Sequence, residues 1–113
     1  VVLIAPATET VTAADTFFKF LRLDPAIRVE FDRLIIMRRG VSIDWFSIRR
    51  AMKNIRAAVM WVHDEEDEIT PLSDALNIKK DGHQQVQFLI TKGLGHRRIY
   101  RDNKVTKAII DFL

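Results

Sequence analysis

The sequence predicts an α/β protein in which a short, mainly parallel sheet of three strands is flanked by helices. Three apolar runs of strand length, at residues 1–5, 58–63 and 86–91, are separated by segments with helical periodicity and helix-capping residues. Strands that alternate with helices are joined by right-handed crossovers, which makes neighbouring strands parallel. We therefore expect a three-layer arrangement, and a length of 113 residues limits the chain to a single domain.

The segment between the first two strands is expected to be helical. Thr12 can start a first helix, and Asp24 with Pro25 has the residue types of an N-cap and a first helical position. Gly40 is typical of a helix end, and Ser42 can cap a further helix. The apolar residues on the faces of these last two helices are Ile27, Phe31, Leu34, Ile35, Trp45, Ile48, Met52 and Ile55.

Two more helices are expected in the second half of the chain. Thr70 and Pro71 open a short helix after the second strand, and Asp102 caps a closing helix that reaches Leu113. The chain thus divides into a strand region at 1–7, a helical segment at 8–56 and a C-terminal α/β unit at 57–113.

Composition excludes several functional classes. The chain has no cysteine, so disulfides, cysteine-zinc sites and a thiol nucleophile are excluded. No apolar run has the length of a transmembrane helix, and we expect no membrane partner. The 18 basic and 15 acidic residues are spread along the chain and leave a net charge of +3, which does not point to nucleic acid. We expect a cytoplasmic protein without a cofactor.

The chain opens directly on the apolar run VVLIAPA, with neither an initiator Met nor a signal-peptide pattern. Continuous apolar runs of this kind are typical of internal strands that are covered on both faces. We therefore expect a fragment of a longer polypeptide. Its bare strand edge predicts self-association, or pairing with the missing N-terminal half.

A carboxylate and an imidazole follow the second and third predicted strands. Asp67 lies just past the run 58–63, and His96 lies just past the run 86–91, in the stretch KGLGHRR. Because the carboxyl ends of parallel strands meet at one edge of a sheet, we expect these side chains to lie together. A carboxylate can hold an imidazole in one tautomer and stabilise its cation, which suits a general base. We predict about 2.6 to 3.2 Å between the Asp67 carboxylate and His96 Nδ1.

These residues resemble a known family. The run VMWVHDEEDEITP resembles the α/β-hydrolase segment in which a strand ends at the catalytic acid. The run VQFLITKGLGHRRI, followed by a helix ending in DFL, resembles the last strand, the catalytic histidine and the last helix of that fold. The order of acid before histidine agrees. VVLIAPA is similar to the strand after the nucleophile-bearing helix, and residues 8–56 stand where the family carries its variable cap.

The resemblance implies a partial α/β-hydrolase-like fold from a serine esterase, with a small-molecule ester or acyl substrate and no cofactor. It implies that Asp67 and His96 are the acid and the histidine of a Ser-His-Asp catalytic triad. The nucleophile elbow G-x-S-x-G is absent, because the nearest match, Gly40-Val41-Ser42-Ile43-Asp44, lacks the second glycine and follows a helix. Ser42 is therefore interpreted as a helix cap, and the chain alone is expected to be inactive.

Other interpretations of the same residues remain open. His96 can be a structural histidine, and Asp67 can belong to a solvated acidic run or, with its acidic neighbours, to a divalent-metal site. His63 is expected to be structural and His83 exposed. The main alternative function is a non-catalytic interaction or regulatory module derived from the same fold, and a third is a phosphate- or metal-binding α/β domain.

Two groups of side chains also have two interpretations each. Aromatic residues of the helical segment can line an apolar substrate pocket or simply pack between helices; they are Phe17, Phe18, Phe20, Trp45 and Phe46. Arginines after the third strand can contact phosphate or begin a solvated helix; they are Arg97, Arg98 and Arg101.

Overall fold

A computed structural model describes residues 1–113 and contains one parallel sheet of three strands in the order β1-β2-β3. The strands are β1 (Val2–Ile4), β2 (Val59–Asp64) and β3 (Val86–Thr91). The predicted α/β class and the three-stranded parallel sheet are confirmed. β3 has the predicted bounds, β1 is shorter than predicted at both ends, and β2 is shifted by one residue.

Six α-helices and two short 3₁₀ helices accompany the sheet. Those in the first half are α1 (Thr10–Phe20), α2 (Pro25–Arg39) and α3 (Ile48–Met52), with a 3₁₀ helix at Ile43–Trp45. Those in the second half are α4 (Leu72–Lys80), α5 (Gly95–Arg98) and α6 (Asn103–Phe112), with a 3₁₀ helix at Ile99–Arg101. None of the helices combines the length and the apolar character needed to cross a lipid bilayer.

The sheet is the middle of three layers. On one face Met60 and Val62 pack against Val105 of α6. On the other face Trp61 packs against Ile78 of α4 and against α3. Successive side chains of a strand point to opposite faces, so a strand covered on both sides needs apolar residues at every position. This explains the uninterrupted apolar run of β2.

Three predicted helix boundaries are confirmed. The Asp24 carboxylate accepts a hydrogen bond of 2.8 Å from the Ala26 backbone N–H at the start of α2. Gly40 ends that helix in the left-handed conformation, with φ of 72°, where a side chain would be strained. The Asp102 carboxylate accepts hydrogen bonds of 2.9 and 3.0 Å from the first turn of α6.

The prediction of a single helix after Ser42 is wrong. The chain forms the 3₁₀ turn, breaks, and restarts as α3, where the Ser47 hydroxyl accepts a hydrogen bond of 3.1 Å from the Arg50 backbone N–H. The Ser42 hydroxyl makes no backbone cap and donates instead to the Asp44 carboxylate. The cap of this helix is therefore Ser47.

The start of α1 also differs from the prediction, since the helix begins at Thr10 and not at Thr12. Both differences have one cause, which is pairing between the chain before α1 and the chain before α3. The Ile48 backbone N–H donates a hydrogen bond of 2.9 Å to the Thr8 carbonyl, and the Thr10 hydroxyl donates to the Phe46 carbonyl. Contacts over such a sequence separation override local helix propensity.

Helices α1 and α2 form a hairpin in which no residue is fully buried. Phe18 packs against Phe31, with ring centroids 5.4 Å apart, and Arg28 joins the two helices through Asp15 at 3.0 Å. The exposed apolar side chains of the hairpin and its turn are Phe17, Phe20, Leu21, Leu23, Ile27, Val29, Leu34, Ile36 and Met37. Phe17 and Phe20 are more than half exposed, so within this chain they line no enclosed pocket and are not core residues.

We expect the chain to self-associate, because the hairpin exposes nine large apolar side chains and because β1 leaves one sheet edge unpaired. Sedimentation velocity should show a dimer or larger species whose share grows with concentration. Phe20→Lys should weaken association about tenfold or more, since Phe20 is 80% exposed. Ile110→Lys, at an exposed apolar position of α6, is the matched control. A monomer at every concentration would contradict the prediction.

Candidate active site

Asp67 and His96 meet at the carboxyl edge of the sheet. Asp67 lies in the loop between β2 and α4, and His96 is the second residue of α5, just after β3. His96 Nδ1 is 2.9 Å from Asp67 Oδ2, within the predicted range. The contact joins two loops that are far apart in sequence, and it exists because parallel strands bring their carboxyl ends to the same edge.

The Asp67 carboxylate is fully buried and has hydrogen bonds to both oxygens. Oδ1 accepts from the backbone N–H groups of Ile69 at 2.9 Å and Thr70 at 2.8 Å. Oδ2 accepts from the Thr70 hydroxyl at 2.8 Å and from His96. Burial raises the pKa of Asp67, but the hydrogen bonds from Thr70 and His96 outweigh it and hold the pKa below its usual value. The group is therefore a carboxylate at neutral pH.

Thr70 connects the ends of all three strands. Its hydroxyl lies 2.8 Å from Asp67 Oδ2, 3.2 Å from His96 Nδ1 and 3.2 Å from the carbonyl oxygen of Ala5. Ala5 follows β1 and is buried with φ of 45°, a left-handed conformation that is uncommon for alanine. The predicted role of Thr70 was only to open α4, whereas its side chain fixes the geometry of the Asp67–His96 pair.

The contacts of His96 define its tautomer. Because Nδ1 faces a carboxylate, Nδ1 carries the proton and Nε2 carries the lone pair. Nε2 has no hydrogen-bond partner and is open to solvent, and the side chain is 24% exposed. The Tyr100 ring stands edge-on to the imidazole at 5.9 Å, while its hydroxyl donates to the Ile4 carbonyl at 3.1 Å. The free basic nitrogen thus points away from the acid.

His63 is buried beneath the pair and has the structural contacts that the sequence predicts. Its Nε2 lies 2.7 Å from the Thr70 carbonyl oxygen, and its Nδ1 lies 3.4 Å from Trp61 Nε1. The indole can only donate and the carbonyl can only accept, so His63 is neutral with its proton on Nε2. Its distance of 3.8 Å to Asp67 Oδ2 is therefore not an ion pair.

Asp64, the last residue of β2, holds the His96 loop in place. Its fully buried carboxylate accepts hydrogen bonds from the Thr91 hydroxyl at 2.6 Å and from the backbone N–H groups of Leu94, Gly95 and Glu66 at 3.1, 2.9 and 3.0 Å. Burial raises the pKa of Asp64, but these four hydrogen bonds lower it to about 2. The Asp64 side chain therefore fixes the turn after β3.

The rest of the acidic run does not gather around a ligand. Glu65, Glu66 and Glu68 are exposed, while the two aspartates turn inward and are saturated by hydrogen bonds. No group of three or more histidine or acidic side chains has the arrangement of a metal site. Asp64 and Asp67 therefore serve different purposes, although they are three residues apart.

The other predicted polar residues have varied environments. Arg97, Arg98 and Arg101 are all exposed, and Arg98 also donates hydrogen bonds to the carbonyls of Leu94 and Gly93 at 3.2 and 2.5 Å. His83 was expected to be exposed, and that is wrong, because its ring is half-buried and its Nε2 is shielded from solvent. The chain around His83 lies at the other end of the sheet from His96.

No protein-family model matches the chain, and a search of curated proteins finds no relative. The resemblance to α/β-hydrolases therefore stays a prediction from the sequence. A buried carboxylate oriented toward Nδ1 of a histidine, with Nε2 free, is the arrangement that a general base requires.

Proposed function

We propose that the chain is the C-terminal part of a serine hydrolase of the α/β-hydrolase type, and that it supplies the acid Asp67 and the base His96. The observation that carries the proposal is the hydrogen bond of 2.9 Å between the buried Asp67 carboxylate and His96 Nδ1, with Nε2 left open. The chain order of acid before histidine and the position of both residues after parallel strands give further support.

The proposed chemistry is acyl transfer from an ester or a similar acyl substrate. A serine outside these 113 residues attacks the carbonyl carbon, and His96 Nε2 takes the serine proton. The resulting imidazolium is stabilised by Asp67 and passes its proton to the leaving alcohol as the ester bond breaks. Water then attacks the acyl-serine with the same base, which releases the acid and regenerates the serine. No cofactor enters these steps.

Ser42 is not the proposed nucleophile. It follows helix α2 instead of a strand, and its hydroxyl donates to Asp44 and not to His96. A nucleophile elbow needs a strained strand-to-helix turn that exposes the hydroxyl. Backbone amides for an oxyanion hole are likewise expected near that elbow, outside this chain.

The 113-residue chain alone should therefore not hydrolyse activated short-chain esters faster than its His96→Ala variant. The physical reason is that a base without a nucleophile and an oxyanion hole cannot form or stabilise an acyl-enzyme. The measurement is the initial rate at which the purified chain hydrolyses a chromogenic ester. Turnover that disappears in His96→Ala would contradict the prediction, and a Ser42→Ala variant would then show whether Ser42 supplies the hydroxyl.

The genomic reading frame gives the simplest test of the proposal. We expect the coding sequence upstream of Val1 to continue in frame and to encode G-x-S-x-G between an apolar strand and a helix. A stop codon followed by a start immediately before Val1 would instead favour a non-catalytic interaction module. The exposed apolar surface of the α1–α2 hairpin is the observation that favours this second candidate.

A further inference from the structure

A polar groove lies at the amino end of the sheet, away from His96. It is an open groove of about 500 Å³ between α3 and the loop after α4, and no apolar residue lines it. A second groove of about 450 Å³ adjoins it and shares Lys53 and His83. Both border the starts of β2 and β3, so the length of a six-residue strand, about 17 Å, separates them from the Asp67–His96 pair.

The grooves carry an excess of positive charge. Arg49 and Asp81 neutralise each other through two hydrogen bonds of 2.6 and 2.7 Å. The other cations, Arg50, Lys53 and Arg56, have no carboxylate within ion-pair distance. The one remaining acid at the rim is Asp44, which accepts a hydrogen bond from a serine hydroxyl.

The Arg50 side chain contacts an aromatic ring and leaves its hydrogen-bond donors free. Its guanidinium lies 4.8 Å from the centroid of the Trp45 ring, and its side-chain N–H groups have no acceptor in the chain. A guanidinium that is stacked on an aromatic ring keeps its five donors in a fixed plane. Its donors are thus oriented for an oxyanion.

His83 lines both grooves and has an unsatisfied nitrogen. Its Nε2 is shielded from solvent and has no hydrogen-bond partner, the single such side-chain atom in the structure. Buried polar atoms in native proteins almost always have a partner. A small rotation of the imidazole toward either groove would let a ligand oxygen supply one.

We propose that these grooves bind a phosphate group, through Arg50, Lys53 and His83. The unpaired cations Arg50, Lys53 and Arg56 stand beside one neutralised ion pair, and their summed charge favours a dianionic phosphate over a carboxylate. The site is independent of the Asp67–His96 pair, and it would exist in an enzyme or in an interaction module.

The test is a titration of the 113-residue chain with inorganic pyrophosphate, at an ionic strength kept constant with sodium chloride and followed by NMR of the histidine rings. We expect saturable shifts of the His83 ring signals while those of His96 stay in place. Lys53→Gln and Arg50→Gln should each weaken binding about fivefold or more, and His83→Ala should weaken it too. Lys104→Gln removes one positive charge from α6 and should change the affinity by less than about twofold.

Phosphate in solution and phosphate on a lipid are separated by a second arm with phosphatidylcholine vesicles that contain phosphatidic acid. Lys53-dependent binding of pyrophosphate supports a soluble ligand, and Lys53-dependent binding to those vesicles alone supports a lipid headgroup. Shifts that do not saturate, or an equal loss of binding in Lys104→Gln, would overturn the proposal. Signal dispersion equal to that of the original chain shows that each variant is folded.

Discussion

In the full-length gene product, Asp67→Asn is expected to lower kcat about 10⁴-fold while the protein stays folded. An amide at this position presents an N–H to His96 Nδ1, which forces Nδ1 to accept and moves the ring proton to Nε2. A protonated Nε2 cannot take the proton of a serine. The measurement is steady-state hydrolysis of an activated ester by the purified variant.

The control for this change is Glu68→Gln, which alters the same acidic run at an exposed side chain. It should leave kcat within about a factor of two, because solvent and salt screen the charge of an exposed carboxylate from His96. A full loss of activity in both variants would mean that the whole run, and not the single carboxylate at His96, is needed. Equal activity of Asp67→Asn and the original protein would remove Asp67 from the mechanism.

Asp64→Ala is expected to lower the free energy of unfolding by about 3 to 5 kcal/mol. The change leaves three partly buried backbone N–H groups, those of Glu66, Leu94 and Gly95, and the Thr91 hydroxyl without their acceptor. Asp64→Asn should destabilise less, because one oxygen is kept. Urea unfolding followed by circular dichroism measures both, and Glu68→Ala should stay within about 0.5 kcal/mol of the original chain.

The stabilisation by Asp64 should also depend on pH in a defined direction. Its pKa is about 2 in the folded chain against an ordinary 3.8, so the folded state favours the carboxylate. The contribution, about 2 kcal/mol, is present above pH 3.8 and is lost as the pH falls through about 2. The loss of stability between pH 4 and pH 2 should therefore be shallower in Asp64→Asn. An identical pH profile in the two proteins would contradict the role given to the carboxylate.

The sheet and its flanking helices were predictable because their signals are local and repeat along the chain. Uninterrupted apolar runs indicate strands covered on both faces, and Asp24, Gly40 and Asp102 mark helix ends through contacts within a few residues. The break between the 3₁₀ turn and α3 was not predictable. It depends on pairing with the chain near Thr8, about forty residues earlier, which no local pattern records.

The Asp67–His96 contact was predictable from topology, since parallel strands bring both loops to one edge. The roles of Asp64 and Thr70 were not, because a carboxylate or hydroxyl after a strand has the same sequence signature whether it faces solvent or a neighbouring loop. Asp64 is buried only because the end of β3 presents a hydroxyl to it and the turn after β3 presents two N–H groups. One available signal was its position at the end of a fully buried strand.

The most direct test of Asp67 and His96 as an acid–base pair is the rate at which a fluorophosphonate labels the full-length gene product. Such a reagent reacts with a serine only when a neighbouring base takes the hydroxyl proton. We expect mass spectrometry to find the label on one serine in a G-x-S-x-G turn upstream of Val1. His96→Ala should slow labelling about 10³-fold or more, while His83→Ala should not. A serine that is labelled equally fast in His96→Ala, or a gene product that is not labelled at all, would contradict the roles proposed for Asp67 and His96.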